Sequence, residues 1–188
     1  MHPFGTESVL AWLHRHQFDI GLHGMGVIYR RTALDAFRLG ILNAHIGFLP
    51  PFRGRSVVEW SLLFGAPLGV SVFFMDDGID TGSRMVVWRA ATTRPSDTLD
   101  DVKQRLFSAD GENYCAALRR LASNDFAYQE NDARLGQRYF VMSRILRGVA
   151  EWALSQRQHL AVAERFARLP AYEMTRHPSE RCHNTGAR

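Results

Sequence analysis

The sequence predicts an α/β fold in which a mostly parallel sheet is flanked by helices. Short β-branched and aromatic runs alternate with amphipathic helical patterns, and residues 69–75 form the most strand-like of these runs. Glycines and prolines separate the runs, most densely in residues 46–54. This alternation is typical of layered α/β domains. With 46% hydrophobic and 22% charged residues, the chain also has the composition of a folded domain.

The elements predicted in the first half of the chain begin with a helix over residues 7–17, for which Thr6 or Ser8 could provide the N-terminal cap. The apolar run from Phe18 predicts a buried strand that ends in a glycine-containing loop. The elements that follow are a short helix over 31–38, a strand over 41–45, a helix over 57–64, and strands over 69–75 and 85–90.

The second half of the chain is predicted to be mainly helical. A long amphipathic helix covers residues 98–121, with an interruption near Gly111, and another covers residues 145–169. Residues 124–137 are polar and irregular. We therefore expect residues 1–95 to form the core of the domain, residues 96–170 its helical part, and residues 171–188 a disordered tail.

Composition excludes several classes of protein. No apolar run approaches the ~20 residues that span a bilayer, and the N-terminus lacks the pattern of a secretory signal. Two cysteines, Cys115 and Cys182, argue against a disulfide framework or a zinc site built from thiolates, and favour the reducing cytoplasm. The net charge of +4 is compatible with anionic partners such as nucleotides, folates or RNA, without requiring them.

Three polar residues form a candidate catalytic group. Asn43 and His45 are two apart on a predicted strand, so their side chains point to the same face. Asp80 lies in a glycine-flanked turn after a later strand, which could return it to the side of His45. An amide, an imidazole and a carboxylate around one point can polarise a carbonyl and move a proton. From spacing alone, purely structural roles for all three residues remain open.

The motifs around these residues strongly resemble those of the 10-formyltetrahydrofolate-dependent formyltransferases. That family includes methionyl-tRNA, glycinamide ribonucleotide and sugar-nucleotide N-formyltransferases. The resemblance covers residues 18–90 well and residues 95–150 loosely. The motifs occur in the family's order: Asn43-Ala44-His45, Leu49-Pro50-Pro51-Phe52-Arg53-Gly54, Gly69-Val70-Ser71-Val72, and Asp76-Asp77-Gly78-Ile79-Asp80-Thr81-Gly82.

The resemblance implies a Rossmann-like catalytic domain in which residues 1–95 form the core. It implies that Asn43 and His45 hold and polarise the formyl oxygen, and that Asp80 orients and charges His45 and helps to remove the proton of the attacking amine. An adjacent carboxylate stabilises an imidazolium, which agrees with this role. The formyl donor would be 10-formyltetrahydrofolate, and no metal would be needed because the donor is already activated.

The resemblance also implies a folate pocket built from two loops. Backbone groups would read the pterin, while apolar side chains would pack against it; for Val27 and Ile28 a simple core position is the alternative. Arg53 borders the cleft and would contact an anionic substrate, or would only fix its own loop. The loop residues are Met25, Gly26, Val27, Ile28 and Tyr29 in the first loop, and Met75, Asp76, Asp77 and Gly78 in the second.

The Asn-x-His motif lies nearer the N-terminus than is usual in this family, so several N-terminal strands of the usual domain are expected to be missing. An uncovered sheet edge would favour marginal stability, a partner chain or a homo-oligomer.

The expected acceptor is a small-molecule amine, with a nucleotide-linked amino sugar as the leading candidate. The helical pattern after residue 95 leaves too little strand for the β-barrel that accompanies methionyl-tRNA formyltransferases. Methionyl-tRNA or glycinamide ribonucleotide remains an alternative acceptor, and nucleic acid would be a partner only in the tRNA case. A hydrolase and a truncated, non-catalytic relic that binds folate or a partner chain are further alternatives.

Overall fold

A computed structural model describes residues 6–24, 26–123 and 127–156. Within them a five-stranded sheet, in the order β1-β2-β4-β5-β6, forms the centre, and a small two-stranded sheet pairs β3 with β7. The strands are β1 (Ile20–Leu22), β2 (Gly40–His45), β3 (Phe52–Gly54), β4 (Gly69–Phe74), β5 (Arg84–Ala90), β6 (Gln129–Glu130) and β7 (Gln137–Tyr139).

The α/β class predicted from the sequence is confirmed, and the main sheet is mixed. Within the described chain, parallel pairing in this sheet joins β1 to β2, while β2–β4, β4–β5 and β5–β6 are antiparallel. The predicted mostly parallel arrangement is therefore corrected for the strands after β2. The reason is local: a short turn over residues 75–83 joins β4 to β5, and so short a connection can only return the chain antiparallel.

Helices cover the sheet on both faces. Successive residues of β2 show why: Leu42 packs in the large core with α3, α4, α5 and α6, while Ile41 packs on the opposite face with α2. The helices are α1 (Glu7–His16), α2 (Arg31–Leu34), α3 (Val57–Leu63), α4 (Leu99–Ser108), α5 (Asp110–Leu121) and α6 (Arg144–Ser155), with a 3-10 turn at Ala133–Leu135.

The predicted helix over residues 98–121 is two helices, α4 and α5, which meet at Ala109 close to the expected interruption. Thr98 starts α4 with a reciprocal cap: its hydroxyl accepts from the Asp101 amide at 3.2 Å, and the Asp101 carboxylate accepts from the Thr98 amide at 2.9 Å. The predicted helix over 145–169 begins at Arg144, and its later part lies outside the described residues, as does the predicted tail over 171–188.

The segment expected to be irregular, residues 124–137, contains short ordered pieces from residue 127 onwards. Strand β6 extends the main sheet, and β7 pairs in parallel with β3, so that Arg53 lies opposite Arg138. Because β3 follows the Asn-x-His strand directly, this pairing attaches the end of the domain to the loop that borders the candidate site.

Candidate functional site

The structure brings Asn43, His45 and Asp80 together. Both Asn43 and His45 lie at the C-terminal end of β2, and Asp80 reaches them from the turn after β4. The Asn43 amide nitrogen donates to Asp80 Oδ1 at 3.5 Å, and His45 Nδ1 lies 3.5 Å from Asp80 Oδ2. The side chains of His45 and Asp80 are only 7% and 13% exposed, so this carboxylate and imidazole interact with little screening by water.

His45 is engaged through both ring nitrogens. Nε2 lies 2.9 Å from the main-chain carbonyl of Phe52, and a carbonyl only accepts, so Nε2 carries a hydrogen. Nδ1 faces the Asp80 carboxylate, which when ionised also only accepts. The Phe52 carbonyl and the Asp80 carboxylate therefore hold the imidazole ring in one orientation between them.

The position of Asp80 depends on its own turn. Its backbone is left-handed, with φ of 54°, a conformation that Asp tolerates better than most residues. The main-chain amide of Gly54 donates to Asp80 Oδ2 at 2.9 Å, which ties the turn to β3. Asn131 donates to the main-chain carbonyls of Asp80 and Gly82 at 3.2 and 3.0 Å. These contacts, from β3 and from Asn131 after β6, hold the turn and its carboxylate in place.

The first predicted folate loop follows β1, which pairs with β2. Met25 lies outside the described residues. Tyr29 is buried in the small core beside Ile41, and burial raises the pKa of its hydroxyl. Val27 packs against that core, whereas Ile28 is 75% exposed, so the simple core alternative fails for Ile28. The exposed Ile28 and Gly26 leave an apolar side chain and a bare backbone available to a ligand.

The second predicted loop meets the first one. Met75 packs against the same small core as Val27, so the two loops share one support. Asp76 folds the loop by accepting from the Gly78 amide at 3.1 Å and from the Thr81 hydroxyl at 2.7 Å. Asp77 and Gly78 are exposed at its tip. The second loop thus leaves β4 beside Ile41, near the beginning of β2, and Asp80 returns to Asn43 and His45.

Arg53 makes contacts that favour the loop-fixing alternative. Its guanidinium donates to the main-chain carbonyl of Ile79 at 3.5 Å, and to those of Ala133 and Gly136 at 3.2 and 3.3 Å. Its Nε is buried without a hydrogen-bond partner. Arg53 therefore joins β3 to the Asp80 turn and to the segment before β7.

The sequence reasoning missed two residues that complete this end of the sheet. The amide of His23 donates to the carbonyl of Leu42 at 2.8 Å, which extends the β1–β2 pairing by one step and sets His23 beside Asn43. The Tyr114 hydroxyl, from α5, donates to the His23 carbonyl at 2.6 Å and accepts from the Ala44 amide at 3.0 Å. Strand pairing could have suggested His23, but no sequence signal points to Tyr114.

The electrostatics of these two residues follow from burial. Burial lowers the pKa of His23, an effect that the Asp80 carboxylate partly opposes. Burial raises the pKa of Tyr114 to about 12. His23 Nδ1 is buried without a hydrogen-bond partner, and the His23 ring packs edge-on against Tyr29 with centroids 5.5 Å apart.

The described residues contain no group of three or more His, Cys, Asp or Glu side chains that could hold a metal ion. Among the same residues, no helix is both long and apolar enough to cross a membrane.

More than half of this chain matches a known protein family. A family model described as formyl transferase matches residues 18–118, which include β1 to β5, the site and most of α5. The chain is 32% identical over 108 residues to the methionyl-tRNA formyltransferase of Coxiella burnetii (strain CbuK_Q154), and the match covers 57% of this chain and 34% of that protein. It is 36% identical over 94 residues to the methionyl-tRNA formyltransferase of Gluconobacter oxydans, covering 50% and 31%. The chain thus spans about a third of the length of these relatives.

Solved structures show the same fold. The formyltransferase PseJ from Anoxybacillus kamchatkensis, in complex with UDP-4,6-dideoxy-4-formamido-L-AltNAc and tetrahydrofolate, is 27% identical with a TM-score of 0.52, covering 65% of this chain and 64% of PseJ. The phosphoribosylglycinamide formyltransferase of Bacillus halodurans is also 27% identical with a TM-score of 0.52, covering 62% and 61%. A likely sugar N-formyltransferase of Mycobacterium tuberculosis, at 17% identity, shares the fold with a TM-score of 0.60 over 80% and 68%.

Proposed function

Because the chain belongs to the formyl transferase family, we propose that it transfers a formyl group from 10-formyltetrahydrofolate to a primary amine. The observation that carries this proposal is the convergence of Asn43 and His45 on Asp80, whose turn shares an apolar support with the first loop. A charged pair beside an amide donor, in a site with little water, is suited to stabilising a carbonyl oxygen that becomes negative.

The chemistry follows from those positions. The amine nitrogen attacks the formyl carbon, and the electron pair of the carbonyl double bond moves to its oxygen. The amide nitrogen of Asn43 makes only a long contact with Asp80, 3.5 Å, so its hydrogens can turn to the developing oxyanion. His45 contributes mainly its positive charge, because both of its ring nitrogens face protein acceptors. When the intermediate collapses, the carbonyl double bond forms again, the bond to folate N10 breaks, and N10 gains the proton that the amine loses.

The exposed Ile28 and the tip of the second loop are the proposed contacts for the pterin of the folate. The main chain of Gly26 and Asp77 is exposed beside them, and main-chain groups can satisfy the donors and acceptors of a flat heterocycle. The Gly78 amide already donates to Asp76, so Gly78 would contribute through its carbonyl. In this proposal the pocket is shaped by the residues that support the two loops. Tyr29, Val27 and Met75 pack in or against the small core, and Asp76 accepts a hydrogen bond within its own loop. The role of Met25 in folate binding stays a prediction.

For the acceptor we propose a nucleotide-linked amino sugar. A UDP-linked formamido sugar is present with tetrahydrofolate in the PseJ structure, and that enzyme aligns with 65% of this chain. Methionyl-tRNA is the second candidate, because the curated relatives in the comparison are methionyl-tRNA formyltransferases at 32–36% identity.

The first experiment measures folate binding by calorimetric titration with a non-reactive analogue of 10-formyltetrahydrofolate. Wild type is compared with Ile28→Asp and with Ile145→Asp, an equally exposed isoleucine on α6 that serves as the control. The proposed pocket is supported if wild type binds saturably, Ile28→Asp weakens binding about tenfold or more, and Ile145→Asp binds as wild type does. A tenfold loss of affinity corresponds to about 1.4 kcal/mol of binding free energy. A folded wild type that does not bind contradicts the enzyme proposal and favours a non-catalytic relic.

The second experiment measures formyl transfer to three acceptors: the UDP-linked 4-amino sugar, glycinamide ribonucleotide and methionyl-tRNA. Asp80→Asn is expected to lower kcat by about 100-fold or more, while Asp100→Asn, an exposed carboxylate on α4, leaves it unchanged. Turnover of the sugar nucleotide supports the proposed acceptor, and preference for either other substrate replaces it. Release of formate without any acceptor would indicate a hydrolase instead.

A further inference from the structure

His23 lies on the same face of the sheet as Asn43 and His45. Leu22 pairs with Leu42 in the parallel β1–β2 ladder, so the next position sets His23 beside Asn43. Side chains at equivalent positions of neighbouring parallel strands point to the same face, and residue 45 follows residue 43 by two. Three polar side chains therefore line one face at the end of these strands.

The backbone on both sides of the His23 ring is fixed. Its amide donates to the Leu42 carbonyl, and its carbonyl accepts from the Tyr114 hydroxyl. The ring itself packs edge-on against Tyr29 in the first loop. Because the tethers are main-chain contacts, a substitution of the side chain leaves them in place.

The two histidines of the site differ in what their rings can still do. His45 has a protein oxygen facing each nitrogen, the Phe52 carbonyl and the Asp80 carboxylate, so neither nitrogen is left for the substrate. His23 Nδ1 has no hydrogen-bond partner and is buried, which keeps the His23 ring neutral near pH 7. A neutral imidazole has one nitrogen that can accept a proton.

We propose that His23 takes the proton that the acceptor amine loses and returns it to the departing folate nitrogen; this inference rests on the proposed function. The amine nitrogen bonds to the formyl carbon and becomes positively charged, and its proton passes to the neutral His23 ring. The Asp80 carboxylate stabilises the imidazolium that forms. As the bond between carbon and N10 breaks, the proton moves from His23 to N10, and the ring is neutral again.

The groups that face His23 determine this cycle. Asp80, from the turn after β4, favours the charged ring. Tyr29 from the first loop and Tyr114 from α5 are both uncharged near pH 7, because burial raises the pKa of each. The Asp80 carboxylate is therefore the negative charge that stabilises a protonated His23.

The kinetic test compares His23→Ala with His14→Ala, an exposed histidine on α1, using 10-formyltetrahydrofolate and the UDP-linked 4-amino sugar. His23→Ala is expected to lower kcat about 100-fold or more with little change in KM, to lose the acidic limb of the kcat–pH profile, and to recover activity in added imidazole. His14→Ala should behave as wild type. Unchanged kcat, or a change confined to KM, overturns the proposal, as does a loss that imidazole does not rescue in a folded variant.

A spectroscopic test does not depend on the acceptor. Histidine ring nitrogens are labelled with ¹⁵N, and the titration of His23, assigned by comparison with His23→Ala, is followed by NMR in wild type and in Asp80→Asn. His23 is expected to be neutral at pH 7 and to titrate at lower pH in Asp80→Asn, because the stabilising carboxylate is lost. The proposal is overturned if the His23 ring is charged at pH 7, or if its titration is the same in wild type and in Asp80→Asn. A wild type that transfers no formyl group refutes the proposed function separately, because this second test still reports on His23.

Discussion

The Tyr114 hydroxyl donates a 2.6 Å hydrogen bond to the main-chain carbonyl of His23. The same oxygen accepts from the Ala44 amide, between Asn43 and His45. One hydroxyl from α5 therefore joins the ends of β1 and β2 at the point where the candidate site begins. Tyr114 and His23 are 91 residues apart along the chain, so this bridge exists only in the folded domain.

Tyr114→Phe removes the bridge while keeping the ring. We expect the free energy of unfolding to fall by about 1–2 kcal/mol, because the Ala44 amide and the His23 carbonyl lose their partner. Urea unfolding measures this change. Tyr128→Phe, whose ring is partly exposed at the other end of the sheet, is the matched control. If both variants unfold at the same urea concentration as wild type, the bridge does not contribute to stability.

The same bridge predicts how stability depends on alkaline pH. The pKa of Tyr114 is raised from 10.0 to about 12 on folding, so the folded state disfavours the phenolate. The resulting stability is fully present below pH 10 and is lost as the pH rises towards 12. Ultraviolet titration should show a tyrosine ionising near pH 12 in wild type and missing from Tyr114→Phe. An unchanged titration curve would contradict the assignment.

His23 predicts the dependence at acid pH, with the opposite sign. Its pKa is lowered from 6.5 on folding, so the unfolded chain binds the proton more readily. The stability that this supplies is present above pH 6.5 and is lost as the pH falls through the lowered folded pKa. Urea unfolding between pH 5 and 8 should show a smaller pH dependence for His23→Gln than for wild type. His14→Gln, the exposed control, should retain the wild-type dependence.

Gly82 ends the turn that carries Asp80, and it packs against the main chain. A Cβ at this position would lie 1.8 Å from the Phe74 carbonyl oxygen, so the backbone would have to move. Gly82→Ala is expected to lower the free energy of unfolding by more than about 2 kcal/mol. It should also lower formyl transfer, because the turn that holds Asp80 shifts.

Gly148→Ala is the control for Gly82→Ala. A Cβ on Gly148, inside α6, meets nothing within 4 Å, so alanine should raise stability by about 0.5–1 kcal/mol through helix propensity. Thermal unfolding followed by circular dichroism measures both variants. Equal effects of the two alanines would show that the Gly82 turn is not sterically constrained.

Arg53→Ala separates the two roles considered for this residue. Loss of its donors to main-chain carbonyls is expected to cost about 2 kcal/mol of stability, since these are hydrogen bonds from a charged group. Arg55→Ala, exposed two residues further on, should cost less than about 0.5 kcal/mol. An unchanged KM for the acceptor supports the loop-fixing role, whereas a large rise in KM with unchanged stability supports contact with an anionic substrate.

The sequence pattern was sufficient for most of the individual elements of the fold. The helix at residues 7–17 and the strands at 41–45, 69–75 and 85–90 are all present within one or two residues of the predicted bounds. Each depends on local features, namely apolar periodicity, β-branched residues and turn chemistry, that can be read without knowing the neighbours. Strand direction could not be read in this way. Strand direction depends on the length and path of the connections. The short turn between β4 and β5 makes these two strands antiparallel, where a parallel pair was expected.

For the site, the sequence by itself predicted Asn43, His45 and Asp80 through the resemblance of their motifs to a known family, and it predicted the two loops expected to form the folate pocket. Only the tertiary structure decided what each side chain can do. The Phe52 carbonyl and Asp80 occupy both nitrogens of His45, while strand pairing and Tyr114 bring His23 beside Asn43. Arg53 likewise donates to the main-chain carbonyls of Ala133 and Gly136, which only the fold brings near it. Hydrogen-bond partners and burial depend on residues that are distant in sequence and meet only when the sheet and its helices pack together.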